Sequence, residues 1–182
     1  MVSTAAVAGS LGSSLLLMVA GLPRSNSVAD RTKLIEAATA LAGVQQQLIE
    51  TIETETAVKL FTARNLPQAN DAERSERQEA IQVALRASAD VPLEVMRLCA
   101  RGMQLAATVA AHSARAASAE VQLGVAPLQA GFTGARANLE GKLSGFTDAV
   151  FVTSVVDEVG RLSEETAAAA CAAESFVKVL PA

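Results

Sequence analysis

Apolar residues recur at intervals of three and four along most of the chain, which is the period of an α-helix rather than a strand. A first apolar stretch predicts a helix from about Ser3 to Ala20, ended by the turn-forming run "GLPRSNS". A second helix is predicted from near Asp30 to about Asn65, with Leu41, Val44, Leu48, Ile52, Thr56, Leu60 and Ala63 gathered on one side. Pro67 stops it. Asn70 or Asp71 can then cap a short helix, with Glu73 favouring the positive end of its dipole and standing one turn from Arg77. Ile81, Ala84, Leu85 and Ser88 turn inward on this segment.

Pro92 predicts a break, because it disfavours helical geometry at Val91 and suits the first turn of a new helix. The restarted helix has one apolar row at Leu93, Met96, Ala100, Met103, Ala107 and Ala110 and another at Leu98, Leu105 and Val109. Only Glu94, Arg97, Arg101, Gln104 and Thr108 form a polar stripe, so this helix belongs in the middle of a bundle. From Thr147 to about Val179 there is one seam instead: Val152, Val155, Val159, Leu162, Thr166, Ala169, Ala173 and Phe176. That pattern suits an outer helix or one packed on a second subunit. The expectation is an all-α, single-domain bundle of five to six helices over residues 1–182.

Composition sharpens this picture. Of 182 residues 51% are apolar, yet Trp and Tyr are absent, so small aliphatic side chains carry the interior and let helix backbones approach closely. The net charge of −4 is spread along the chain, with no basic block to follow phosphates and no aromatic platform for bases, which argues against nucleic acid as a partner. The first twenty-two residues carry no charged side chain, but Ser3, Thr4, Ser10, Ser13 and Ser14 dilute the run. The charged start of a secretion signal is missing. Ala5, Gly9 and Ser13 form a small-residue stripe suited to close helix contact. A buried core helix, not a membrane span, is expected. Cys99 and Cys171 sit in apolar helical patterns and read as two buried free thiols of a reducing, cytoplasmic protein.

Candidate chemistry is narrow. His112 is the single histidine, near a helix end where it suits the dipole, and neither cysteine has a second ligand at metal spacing, so no metal is expected. Nucleophile-elbow, Walker and dinucleotide-binding patterns are all missing. What is left is carboxylate acid–base chemistry in "LIETIETETAVKLF", where Glu53 and Glu55 flank the apolar face on opposite sides and Glu50 points away. A carboxylate beside apolar neighbours is raised toward the range useful for proton transfer. Periodicity leaves Glu53 and Glu55 both open, and a solvated helix face is the plain alternative for each.

A resemblance narrows the choice. "ARNLPQANDAERSERQEAIQVALRASADVPLEVMRLC" resembles the Leu-Pro corner, charged helix and Val-Pro-Leu restart of the cyclodeaminase/cyclohydrolase family of one-carbon folate enzymes. "STAAVAGSLGSSLLLMVAGL" is similar to that family's first helix, and "NLEGKLSGFTDAVF" to its Asn-Val…Asp…Phe region. The resemblance implies a formiminotransferase-cyclodeaminase-like fold, a homodimer, and a folate derivative as the bound molecule, with no cofactor beyond the tetrahydrofolate substrate. It places Glu53 at the family's catalytic aspartate, and Asn138 and Ser118 at the Asn of its Asn-Val motif and the Ser of its Ser-Asp motif, as substrate-binding residues. Asp148 matches the aspartate before the last helix. The pattern departs from the family at Thr51, Ala57, His112–Ser113, Ala119 and Lys142, and the glycine-rich lead-in to the first helix is not in the sequence. Two functions follow: an enzyme acting on the methenyl or formimino group of tetrahydrofolate, or a non-catalytic bundle that kept the core and serves a structural or regulatory role. Arg97, Arg101 and Arg136 are the candidate partners for a glutamate tail.

Overall fold

Small side chains at the start of the chain set how the molecule is assembled. The computed structural model describes residues 2–22, 27–52 and 61–177. Helix α1 (Val2–Gly21) runs antiparallel to α2 (Val28–Ile52): Ser14 Oγ accepts from Gln45 Nε2 at 2.6 Å, and Gly9 lies against Leu48. After the helical stretch 61–64 come α3 (Asp71–His112), a 3-10 turn (Arg115–Ala117), α4 (Ser118–Leu143) and α5 (Ala149–Val177). Backbones of α1 and α4 come together because glycines face each other there. A Cβ added at Gly12 would stand 2.6 Å from the Gly124 carbonyl oxygen, closer than real Cβ contacts allow.

Helix α3 packs against α1, α2, α4 and α5 and is the centre of the bundle, as its two apolar rows require. Met96, Met103, Val95, Val109 and Cys99 are fully buried along it. The α2 seam is confirmed at Leu41, Val44 and Leu48; its continuation at Thr56 and Leu60 lies outside the described residues. Helix α5 buries one seam, Val155 through Ala173, against α3 and α4, and is the outer helix its heptad pattern predicts.

Local signals account for the helix ends. Asn70 caps α3: its Oδ1 accepts from the Glu73 backbone N–H at 2.9 Å, while the Glu73 carboxylate accepts from the Ala69 N–H at 2.8 Å. Ser27 caps α2 by accepting from the Asp30 N–H at 3.1 Å, and Arg31 reaches back to the Ala20 and Leu22 carbonyls at the end of α1. Asp148 accepts from the Val150 and Phe151 N–H groups at the start of α5 and pairs with Arg86, which also lies over the Phe151 ring.

Four expectations are corrected. The break at Pro92 does not occur; α3 is one continuous helix of 42 residues with Pro92 inside it. Proline at this position removes the donor for the Ser88 carbonyl four residues earlier. The Lys142 ammonium from α4 donates to that carbonyl instead, and burial of Leu85, Ala89, Leu93 and Met96 on either side holds the helix straight through. Glu73 does not pair with Arg77: its carboxylate is used by the cap, and Arg77 donates to the Arg64 carbonyl at 2.9 and 3.1 Å. Cys171 is exposed, on the outer side of α5, while Cys99 is buried. Phe176 extends past the neighbours of α5 and is 51% exposed.

Helix α1 also differs in degree from a fully buried helix. Among the described residues it alone is long and apolar enough to cross a membrane, and here it packs on α2, α3 and α4. Ala5, Ala6, Ser13, Leu16, Val19 and Ala20 are buried, but Val7, Leu11 and Met18 stay about half exposed on its outer face.

Candidate active-site cleft

The same small residues that bring α1 and α4 together leave a groove beside them. An open cleft of about 680 Å³ lies between the first two turns of α1 (Thr4, Ala5, Ala8) and the last half of α4 (Ala130, Gly134, Ala137, Asn138, Gly141, Lys142). Most of its wall is alanine and glycine, and among the described residues its polar side chains are Thr4, Asn138 and Lys142.

Asn138 Oδ1 is buried without a hydrogen-bond partner among the described residues. An unpaired buried amide oxygen costs about 1–3 kcal/mol, a cost that native structures rarely tolerate unless a ligand or water relieves it. One turn further along the same face, Lys142 donates to the Ser88 carbonyl, and burial pulls its ammonium pKa below the usual lysine range. A donor-bearing and an acceptor-bearing side chain therefore stand one turn apart on the α4 wall of a mostly apolar groove.

Helix α2 ends level with the first turns of α1, although none of its described residues lines the cleft. With Ser14 beside Gln45 and Gly9 beside Leu48, the antiparallel run sets Ile52 level with Thr4 and Ala5. Glu53 itself lies outside the described residues, as do Glu55 and Ala57. Thr51 turns its hydroxyl to the Leu48 carbonyl at 2.7 Å.

Ser118 is not brought to Asn138. It opens α4 and Asn138 stands near its close, so twenty residues of helix, about 30 Å, separate them along one chain. The Ser118 end of α4 follows directly on the end of α3, where His112 Nδ1 donates to Asp30 Oδ1 at 2.7 Å. That bond, with a second from Ser27, holds the Asp30 carboxyl below its ordinary range. The Glu120 Oε2 atom, two residues into the helix from Ser118, is also buried and unpaired.

The arginines proposed for an anionic tail are mostly engaged elsewhere. Arg97 makes a two-pronged pair with Glu158 at 2.8 and 2.9 Å and touches Glu94, joining α3 to α5 and pulling the Glu158 carboxyl down. Arg136 is held by Glu140 at 2.7 Å, and Arg101 is exposed on the polar stripe of α3. None of the three lines the cleft. A second groove of about 630 Å³, between 62–66 and the start of α3, has Glu76, Glu79 and Thr62 as its polar side chains among the described residues. Among the described residues no three His, Cys, Asp or Glu side chains converge in a metal-binding group.

Asn138, singled out from the resemblance, lines the cleft, whereas the contact made by Lys142 was not anticipated from the sequence. The available signal was Pro92: a proline inside a helix orphans the carbonyl four residues back and calls for a distant donor. Which donor answers cannot be read from spacing, because Lys142 is 54 residues away in the chain.

The architecture is that of an all-helical bundle with a cleft at one end of an antiparallel α1–α4 pair. The chain belongs to the formiminotransferase-cyclodeaminase family, whose profile matches residues 3–161. It is 28% identical over 170 residues to the methenyltetrahydrofolate cyclohydrolase of Methylorubrum extorquens, an alignment covering 90% of this chain and 81% of that protein. Its fold is similar to the crystal structure of formiminotetrahydrofolate cyclodeaminase from Thermotoga maritima. The TM-score is 0.85 at 15% sequence identity, over 97% of this chain and 86% of that one.

Proposed function

We propose that this chain is an enzyme of one-carbon folate metabolism, acting on the methenyl or formimino group of tetrahydrofolate in the manner of a cyclohydrolase or cyclodeaminase. Membership of the family and the likeness to the Methylorubrum cyclohydrolase support the substrate class. The single observation that carries the site is Asn138, whose buried Oδ1 has no partner among the described residues and which lines a groove large enough for a pterin ring.

The chemistry asks for little machinery. A methenyl bridge is a delocalised cation; water adds to its carbon, a proton leaves, and the ring opens to the formyl derivative. In the deaminating direction a formimino group closes and ammonia leaves with a proton. A carboxylate stabilises the cation in either case and takes or gives the proton, and Glu53 is the residue for that role. It follows Ile52, which sits level with the cleft. Asn138 binds the pterin. Ser118, at the far end of α4, has no place in this cleft within one chain, so its substrate-binding role requires a second subunit. A homodimer fits the half-exposed Val7, Leu11 and Met18 on the outer face of α1, and two free cysteines fit a reducing, cytoplasmic setting.

The test is loss of the ultraviolet absorbance band of methenyltetrahydrofolate with purified protein. Wild type is expected to accelerate it, Asn138→Ala to slow it about tenfold or more, and Glu53→Gln to fall close to the uncatalysed rate. Wild type and Glu53→Gln both running at the uncatalysed rate would eliminate the cyclohydrolase reading.

A further inference from the structure

Among the described residues Lys142 is the one charged side chain lining the Asn138 cleft, and its position is fixed by a defect in another helix. Pro92 has no N–H to give the Ser88 carbonyl, and the Lys142 ammonium donates to that carbonyl from across the α3–α4 contact. One of the three ammonium protons is thereby spent on backbone, and the long side chain is held in one place instead of sampling solvent. Two protons remain. One helical turn back on the same face stands Asn138, whose Oδ1 is buried and accepts from no described residue.

Resting on the folate reading of this cleft, we infer that Lys142 and Asn138 together recognise a lactam edge, the adjacent C=O and N–H of a pterin ring. Lys142 donates to the ring oxygen and Asn138 Oδ1 accepts from the ring N–H. The alternative occupant, a carboxylate of the glutamate tail, fits less well: it would set its own lone pairs against those of Asn138 Oδ1, leaving that acceptor unsatisfied. A lactam edge uses both groups at once. The alanine and glycine walls at Ala8, Ala130, Gly134 and Ala137 accept a flat ring without clash. Pro92 is the positioning residue that makes the arrangement possible.

The experiment measures binding by titration calorimetry under reducing conditions with three probes: tetrahydrofolate, 6-methyltetrahydropterin, which is the ring without the tail, and p-aminobenzoylglutamate, which is the tail without the ring. Lys142→Met is expected to weaken tetrahydrofolate and the pterin about tenfold or more and to leave p-aminobenzoylglutamate unchanged. That variant also orphans the Ser88 carbonyl, so it is repeated in a Pro92→Ala background, where the backbone N–H at position 92 restores the helical bond. There the melting temperature recovers while the pterin affinity stays low. If Lys142→Met instead weakens the tail fragment, or leaves tetrahydrofolate affinity intact in both backgrounds, the lactam assignment is overturned while the folate reading stands. If wild type binds none of the three probes, both fall.

Discussion

A cysteine buried in helix packing and a cysteine on an outer helix differ by orders of magnitude in reactivity, because the nucleophile is the thiolate. Cys99 is fully buried beside Gly9 and Gly131 at the α1–α3–α4 contact, and burial pushes its thiol up to about 12. Cys171 faces out from α5. Periodicity alone puts both in apolar patterns, since alanines surround Cys171 and alanine is tolerated on either face of a helix. Titration with a chromogenic disulfide should therefore label one thiol per chain rapidly at pH 8, and Cys171→Ser should abolish that phase. The second thiol should appear only on unfolding. Rapid labelling of Cys99 in the folded Cys171→Ser protein would contradict its full burial at the α1–α3–α4 contact.

At the scale of elements, glycine decides how close α1 and α4 stand. The contrast between Gly12 and Gly43 makes the argument testable with one kind of substitution. A methyl at Gly12 would meet the Gly124 carbonyl oxygen at 2.6 Å and Leu128 at 2.8 Å, whereas a methyl at Gly43 on α2 would meet nothing within 4 Å. Gly12→Ala is expected to destabilise by about 1–3 kcal/mol, as overpacking against backbone does. Gly43→Ala is expected to stabilise by about 0.5–1 kcal/mol, through helix propensity alone. Urea denaturation midpoints of the two variants would check the opposite signs; equal shifts would mean that α1 and α4 are not in backbone contact. The widening in Gly12→Ala should reach the cleft as well, since the same helix pair forms its walls.

Across the whole molecule, the sequence pattern was a good guide to which helix sits where. Two apolar rows on 93–110 meant a central helix, and one heptad seam on 152–173 meant an outer one; both follow from how many sides of a helix must be covered. It was a poor guide wherever a long-range partner overrides a local rule. Pro92 breaks an isolated helix, but Lys142 and the buried residues on each side of it carry α3 through. Glu73 and Arg77 have the spacing of a pair, yet each finds a better partner at a helix end. For the site, the resemblance singled out Asn138, which lines the groove, but the groove itself was not legible, because the alanines and glycines of α4 form a wall only once α1 is packed beside them. The distance from Ser118 to Asn138 was implicit in their spacing on one helix, about 30 Å, and it limits what a single chain can assemble.

The central claim is that a folate ring occupies the groove between the first turns of α1 and the last turns of α4. A crystal structure with bound 5-formyltetrahydrofolate measures this most directly. The account predicts the pterin between Thr4–Ala8 and Gly134–Lys142, with ring N–H within hydrogen-bond distance of Asn138 Oδ1. A folate lodged in the groove beside Glu76 and Glu79, or at the Ser118 end of α4 with the Asn138 groove empty, would contradict it.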